Sequence, residues 1–146
     1  MASGITAEDV CVTEFETFKL QNYADTSRRA FLIFRIQAEK IVLKEQGTAD
    51  ATWQDFVDTL TRDPKDGAYG VFDFAATTKE GRQLQKIVFV SWTPDSGLPV
   101  KQKMMYASAR EPFKQQLGSG LAFVVQASDL SDLAYDKIAH MVGNRR

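Results

Sequence analysis

Along the chain, apolar residues alternate between helical spacing and short dense runs. Cys11, Phe15 and Phe18 fall at i, i+4 and i+7, the buried stripe of an amphipathic helix. Thr6 stands three residues before Asp9 as a candidate cap for that helix, with Ile5 and Val10 at the positions of a hydrophobic staple. AFLIFRI (30–36) and KIVLKE (40–45) follow as β-branched runs with only Gln37, Ala38 and Glu39 between them, which predicts a hairpin with a short loop. In the second run Lys40, Val42 and Lys44 alternate with Ile41 and Leu43, the pattern of an edge strand guarded by lysines.

Helical spacing returns at Trp53, Phe56, Val57 and Leu60, with Asp50 or Thr52 as the cap and Pro64 and Gly67 beyond the end. AYGVFDF (68–74) reads as a strand, AATTKEGRQLQ as a polar connection, and KIVFVSW (86–92) as a central strand, because Ile87, Val88, Phe89 and Val90 leave no polar face. TPDSGLP (93–99) is a loop, and Pro99 is placed to open the next helix at its first position. LAFVV (121–125) reads as a last buried strand. A closing helix follows Ser131, with Tyr135, Ile138 and Val142 on one face and Gly143 at its stop.

The order α β β α β β α β α combines short antiparallel connections with one helix-length crossover. It predicts an α/β (α+β) fold with one five-stranded mixed sheet and helices on both faces. With 146 residues, 44% hydrophobic and 25% charged, a single domain over 1–146 accounts for the chain. A net charge of −1 argues against nucleic-acid binding and leaves any electrostatic partner to a local patch. No apolar run has a membrane-spanning length and MASGITAED lacks the features of a secretion signal, so the expectation is a cytoplasmic, monomeric protein.

Catalytic chemistry finds little support. Cys11 is the only cysteine and sits on a packed helix face. His140 is the only histidine, with no cysteine near it to share a metal, and neither of the phosphate-cradling glycine motifs occurs. The expectation is a non-enzyme without metal or cofactor.

One segment conflicts with its own surroundings. KQKMMYASAREPFK (101–114) has the composition of a helix, yet Pro112 deprives the Ser108 carbonyl of its helical donor, at a cost of about 3 kcal/mol in a regular helix. Paired methionines beside lysines also make a poor solvent face and a good docking one.

MASG, CVTEFETFKL, VFDF, KIVFVSWTPDSG, VKQKMMYASAR and QASDLSD, in that order and spacing from Met1 to Val142, resemble the actin-depolymerising factor/cofilin family. The resemblance implies a single ADF-homology domain that binds actin monomers and filaments, prefers the ADP-bound form, and severs or depolymerises filaments. It implies that the long helix after the W-x-P-D loop is the main actin contact and is bent near its middle, which gives Pro112 a place. By the same resemblance, Lys101, Lys103 and Met104 are actin-contacting, with Met105 packed inward. Arg110 and Lys114 extend the cationic side, since 103, 107, 110 and 114 share one helical face. Ser3, Gly4 and Ile5 join the contact from the N-terminus, and Ser3 matches an inhibitory phosphorylation site where about −1.5 to −2 charges would oppose acidic actin. Phosphoinositide headgroups are implied as ligands of Lys101, Lys103 and Lys114.

A second, filament-specific surface is matched less fully. Arg82 and Lys86 lie near its basic positions, but Leu84 replaces a common basic residue, and His140, Met141 and Asn144 fill positions commonly charged; Arg145 and Arg146 are the remaining candidates. Monomer binding is therefore carried by more of the matched positions than vigorous severing is. The alternatives are a filament side-binder or monomer binder with weak or no severing, or a phosphoinositide-responsive scaffold.

Overall fold

Successive residues of the central strand face opposite cores, as the unbroken apolar run requires. The computed structural model describes residues 5–21, 27–77, 83–118 and 120–143. Its elements are β1 (Thr6–Ala7), α1 (Asp9–Leu20), β2 (Arg29–Gln37), β3 (Lys40–Thr48), α2 (Trp53–Leu60), β4 (Ala68–Thr77), β5 (Gln83–Trp92), α3 (Val100–Leu117), β6 (Leu121–Ala127), a 3₁₀ turn (Leu130–Leu133) and α4 (Tyr135–Gly143). In β5, Ile87 and Phe89 enter one apolar cluster with α1 and α3, whereas Val88, Val90 and Trp92 enter another with α2 and α4. Both faces of the sheet are therefore covered, as expected for a mixed sheet between helix layers.

Among the described residues the sheet runs β1-β3-β2-β4-β5-β6, with six strands where five were expected. The addition is β1, which pairs parallel with β3 at Lys40 and Ile41. Thr6 therefore does not cap α1. Glu8 occupies the cap position with no side-chain hydrogen bond, and Val10 is exposed, so the staple with Ile5 does not form. Ile5 and Ala7 turn into the core while Thr6 turns out, a period of two that is too short to be recognised in three residues. The lysine-guarded edge of β3 is open except where β1 covers it.

Other boundaries shift for identifiable reasons. Most of the expected polar connection after β4 is strand, since β4 and β5 pair antiparallel from Ala68↔Trp92 out to Thr77↔Gln83. Pro99 is the N-cap of α3 rather than its first residue. β5 and β6 pair in parallel across α3, as the helix-length crossover predicts. The run read as a buried last strand lies at the sheet edge, where Phe123 and Ala127 point inward and Val124 is exposed. The helix after Ser131 is a short 3₁₀ turn followed by α4, with Ile138 and Val142 buried and Tyr135 exposed but stacked on Phe74. Of the two caps proposed for α2, Thr52 is the one used, in a reciprocal box with Asp55.

Close packing beneath α2 depends on Gly70. A Cβ there would lie 2.7 Å from the Phe56 ring, so only glycine lets this helix approach β4 so closely.

A buried polar network then fixes the middle of α3. The Tyr106 hydroxyl accepts the Ile36 N–H at 3.0 Å and donates to Asp66 at 3.0 Å. The Tyr69 hydroxyl donates to the Tyr106 carbonyl, and the two rings lie 5.2 Å apart. Arg35, buried within β2, donates to the carbonyls of Gly67 at 3.0 Å, Thr59 at 2.9 Å and Leu60 at 3.4 Å. It thereby satisfies carbonyls at the end of α2, where a cation is also favoured by the helix dipole. Burial raises the Asp66 carboxyl above its ordinary value of 3.8, against the opposing pull of the Tyr106 hydroxyl and the Arg35 charge. Burial likewise pushes the Tyr69 and Tyr106 phenols well above the ordinary range, so both remain neutral donors.

Three outcomes follow. Tyr106→Phe leaves the buried Ile36 N–H without its acceptor and should lower the unfolding free energy by about 1–3 kcal/mol in a denaturant titration. Because the Asp66 pKa is raised in the fold, this group's contribution is full below its unfolded value and is lost as pH rises through the folded one. Asp66→Asn should therefore gain stability relative to wild type on going from acid to neutral pH, and a constant difference would contradict the assignment. Finally, the β2–β3 turn is a two-residue loop with Ala38 at φ 51° and Glu39 at φ 64°, tighter than the three-residue loop expected. Replacing Ala38-Glu39 by Asn-Gly, which suits that turn, should stabilise the protein by about 1 kcal/mol in the same assay.

Candidate functional site

α3 has one committed face and one open face. Tyr106, Ala109, Phe113 and Leu117 form its buried stripe, and their i, i+3, i+7 and i+11 spacing explains why this segment lies along the sheet as a helix. The Phe113 ring packs 5.1 Å from Phe34 and 5.3 Å from Tyr69, arrangements that favour aromatic pairs beyond simple area burial. Met105 packs against the same cluster, as the sequence reading expected. With that stripe seated, Val100 at 71% and Met104 at 66% exposure point outward one turn apart, beside exposed Lys101.

Pro112 does not end the helix, which runs unbroken from Val100 to Leu117. Both Pro112 and Ser108 are on the exposed side, so water can reach the carbonyl that lost its donor. Gly118, with φ at 88°, stops the helix, and its N–H donates to the Lys114 carbonyl.

The cations of α3 are not equivalent. Lys101 is exposed and has no partner among the described residues. Lys103 is half-buried, and its Nζ donates to the Asp95 carbonyl at 2.9 Å, which ties the helix to the preceding loop. That loop is itself fastened to the end of β6, through Thr93 N–H to Ala127 and Asp95 N–H to Ser128, each at 3.0 Å. Arg110 is half-buried with its Nε unpartnered, near enough to Tyr69 for its charge to oppose the rise in that phenol's pKa. Lys114 pairs with Glu111 at 2.9 Å. Of the cations drawn on one side by spacing, Lys103 and Lys114 thus have intramolecular partners and Arg110 is half-buried, and only Lys101, which the resemblance supplied, is exposed.

At the N-terminus, Ile5 is 6% exposed and belongs to the α1/α3 core, so it anchors the segment that Ser3 and Gly4 precede. Ser3, Gly4, Arg82, Arg145, Arg146 and Asn144 lie outside the described residues, as does the Leu84 side chain. Lys86 is half-buried on β5, His140 is exposed on α4, and Met141 packs against the α2/α4 core. The structure brings Val100, Lys101, Lys103 and Met104 together and places Lys86 and His140 on other elements.

Sequence reading missed the groups that hold this surface. An arginine inside the apolar AFLIFRI run was the available signal, since a charge in a covered strand must find partners. Asp66, Tyr106 and the Asp95 carbonyl carried no such mark. Cys11 behaves as packing: it is buried, its Sγ donates to the Ile41 carbonyl at 3.3 Å, and burial with the nearby Glu8 charge pushes the thiol up to about 11. Among the described residues, no three His, Cys, Asp or Glu converge as a metal site, and no helix is long and apolar enough to cross a membrane.

Comparison with known proteins agrees with this geometry. A sequence model described as cofilin/tropomyosin-type actin-binding protein matches residues 4–143. Actin-depolymerizing factor 7 of Arabidopsis thaliana is 38% identical over 138 residues, covering 94% of this chain and 93% of its own length. Actophorin of Acanthamoeba castellanii is 33% identical over 139 residues, covering 94% of each. The crystal structure of Streptomyces griseoflavus cofilin superposes with a TM-score of 0.78 at 27% identity, over 94% of this chain and 96% of that one. The solution structure of ADF/cofilin from Trypanosoma brucei gives 0.74 at 32% identity over 100% of both chains. The stripe that seats the long helix, the open turn at Val100–Met104 and a match spanning nearly the whole length lead to one conclusion: this chain belongs to the cofilin/tropomyosin-type family of actin-binding proteins.

Proposed function

We propose that this protein binds actin and promotes filament depolymerisation, and that the first turns of α3 are its principal contact. The observation that carries the reading is the pairing of Val100 and Met104, both largely exposed, with Lys101 on a helix whose opposite side is locked in the core. Exposed apolar side chains beside a cation suit a partner that is acidic and offers an apolar cleft. Lys103 contributes by bracing the helix to the Asp95 loop as well as by its charge. Arg110 and Lys114 lie farther along and hold secondary roles. Ser3 and Gly4 complete the contact, and a phosphate on Ser3 opposes it by charge repulsion.

The protein acts without catalysis or cofactor, as a monomer in the cytoplasm. Anionic phosphoinositide headgroups compete for Lys101, Lys103 and Lys114 in this reading. Severing is weaker than depolymerisation, because Lys86 is half-buried and Met141 is drawn into the core where the second surface would need charge. A side-binding mode with little severing is the second reading, favoured by that same thinning. Filament-length microscopy separates the two: fragments that accumulate faster than end-loss allows argue for severing.

Cosedimentation with ADP-actin filaments and nucleotide exchange on actin monomers test the main reading. Wild type should bind in both assays. Lys101→Ala and Met104→Ala should each weaken binding by about 10-fold without changing the unfolding midpoint, because both side chains are exposed. Wild type that alters neither assay would remove the actin assignment, whereas two fully active variants would remove only the residue mapping.

A further inference from the structure

β6 ends the sheet on one side, with no strand beyond it among the described residues. Along a parallel pair, one residue turns both its backbone groups toward the neighbouring strand and the next turns both away. The Thr93 N–H, which donates to the Ala127 carbonyl at 3.0 Å, sets that phase: Phe123, Val125 and Ala127 face β5, so Val124 and Gln126 hold their N–H and C=O groups out at the open edge. Among the described residues nothing hydrogen-bonds to those four groups. Open edges are commonly blunted by charge. β3 follows that rule with Lys40 and Lys44 exposed, but β6 (LAFVVQA) carries no charge, and Ala122, Val124 and Gln126 are exposed along it. A bulge at Ala122 confines regular pairing to Phe123–Ala127 without covering the edge. Beside the edge runs an open groove of about 440 Å³, between Glu111, Lys114, Gln115 and Gly118 on the α3 side and Leu121 and Val124 on β6. Its two charged wall residues, Glu111 and Lys114, neutralise each other at 2.9 Å.

We propose that the β6 edge and this groove form a docking site for an extended, uncharged segment of another protein, which adds to the sheet as a further strand. The chemistry of the occupant follows from the site. An extended backbone is what presents donors and acceptors at the spacing of the Val124 and Gln126 groups. Alternate side chains of the added strand then fall on the α3 side, where Leu121 and Val124 favour small apolar groups and a charge would meet no free counter-charge. With α3 as a wall along one side, the groove is a channel suited to a single strand rather than to the face of a second folded domain. It lies at the far end of α3 from Val100 and Met104, so the proposal does not rest on the actin contact described above.

The test titrates two end-blocked hexapeptides of alternating valine and threonine into isotope-labelled full-length protein, one of them N-methylated at every residue so that it has no backbone donors. The unmodified peptide should shift the Val124 and Gln126 amide resonances to saturation and slow their hydrogen exchange, and the methylated one should do neither. Val124→Pro removes an N–H that serves no bond to β5, so the fold should persist while peptide affinity falls about 10-fold or more. Val124→Lys keeps that N–H and lays a charge over the groove, with the same expected loss. Should the proline variant fail to fold, the lysine variant and the methylated peptide still decide the matter. No saturable binding, equal binding of the methylated peptide, unchanged affinity of Val124→Lys, or shifts centred on Val42 and Lys44 of β3 would each overturn the proposal. Concentration-dependent sedimentation of wild type that Val124→Lys abolishes would make a second copy of the chain the occupant, and would overturn it as well.

Discussion

The structure depends on how the inner stripe of α3 is seated. Tyr106, Ala109, Phe113 and Leu117 lie on the face of β2, β4 and β5, and the one polar group in that stripe is satisfied at depth by Ile36 and Asp66. Apolar burial holds the helix down but does not choose its rotation or axial position. The Tyr106 hydroxyl and the Tyr106 carbonyl, each with a fixed partner, do choose them, since a shift of one residue would strand buried donors and acceptors. With rotation fixed, Val100 and Met104 can only face outward.

The same constraint explains why the polar residues around α3 are distributed as they are. Arg35 ties the end of α2 and the Gly67 carbonyl to β2, and Asp66 in the same connection meets Tyr106, so the two helix layers are linked through one loop. Lys103 fastens the start of α3 to the loop before it, and Gln116 fastens its end to β1. Between these fixed ends the outer side needs no internal partner, and its exposed apolar and cationic residues are available to another protein. Docking on a preset surface avoids the entropy of ordering it on contact.

Much of the fold was legible because burial imposes its own period. Trp53, Phe56, Val57 and Leu60 identified α2, and the two-faced run of Ile87 to Val90 identified the central strand. β1 was not legible: a two-residue strand cannot be told from the entry to a helix, and its pairing depends on the edge of β3, which is distant in sequence. Strand ends in the β4–β5 hairpin were also lost, because polar residues there pair through backbone atoms that sequence does not mark. At the site, the resemblance gave Met104 as a contact and Met105 as packed inward, and the structure has Met104 exposed and Met105 against the core. Spacing overstated the cationic face, since periodicity fixes the side of a helix but not whether a lysine on it turns to a carbonyl, as Lys103 does, or to a glutamate, as Lys114 does.

The methionines offer the most direct test of the central claim, because one faces solvent and its neighbour faces the core. With methyl-labelled methionine, adding ADP-actin monomers should shift the Met104 methyl resonance strongly while leaving those of Met105 and Met141, both packed on the domain's own core, nearly in place. Complex formation with an unmoved Met104 methyl, or with Met105 shifting as much, would contradict a docking surface on the outer first turns of α3.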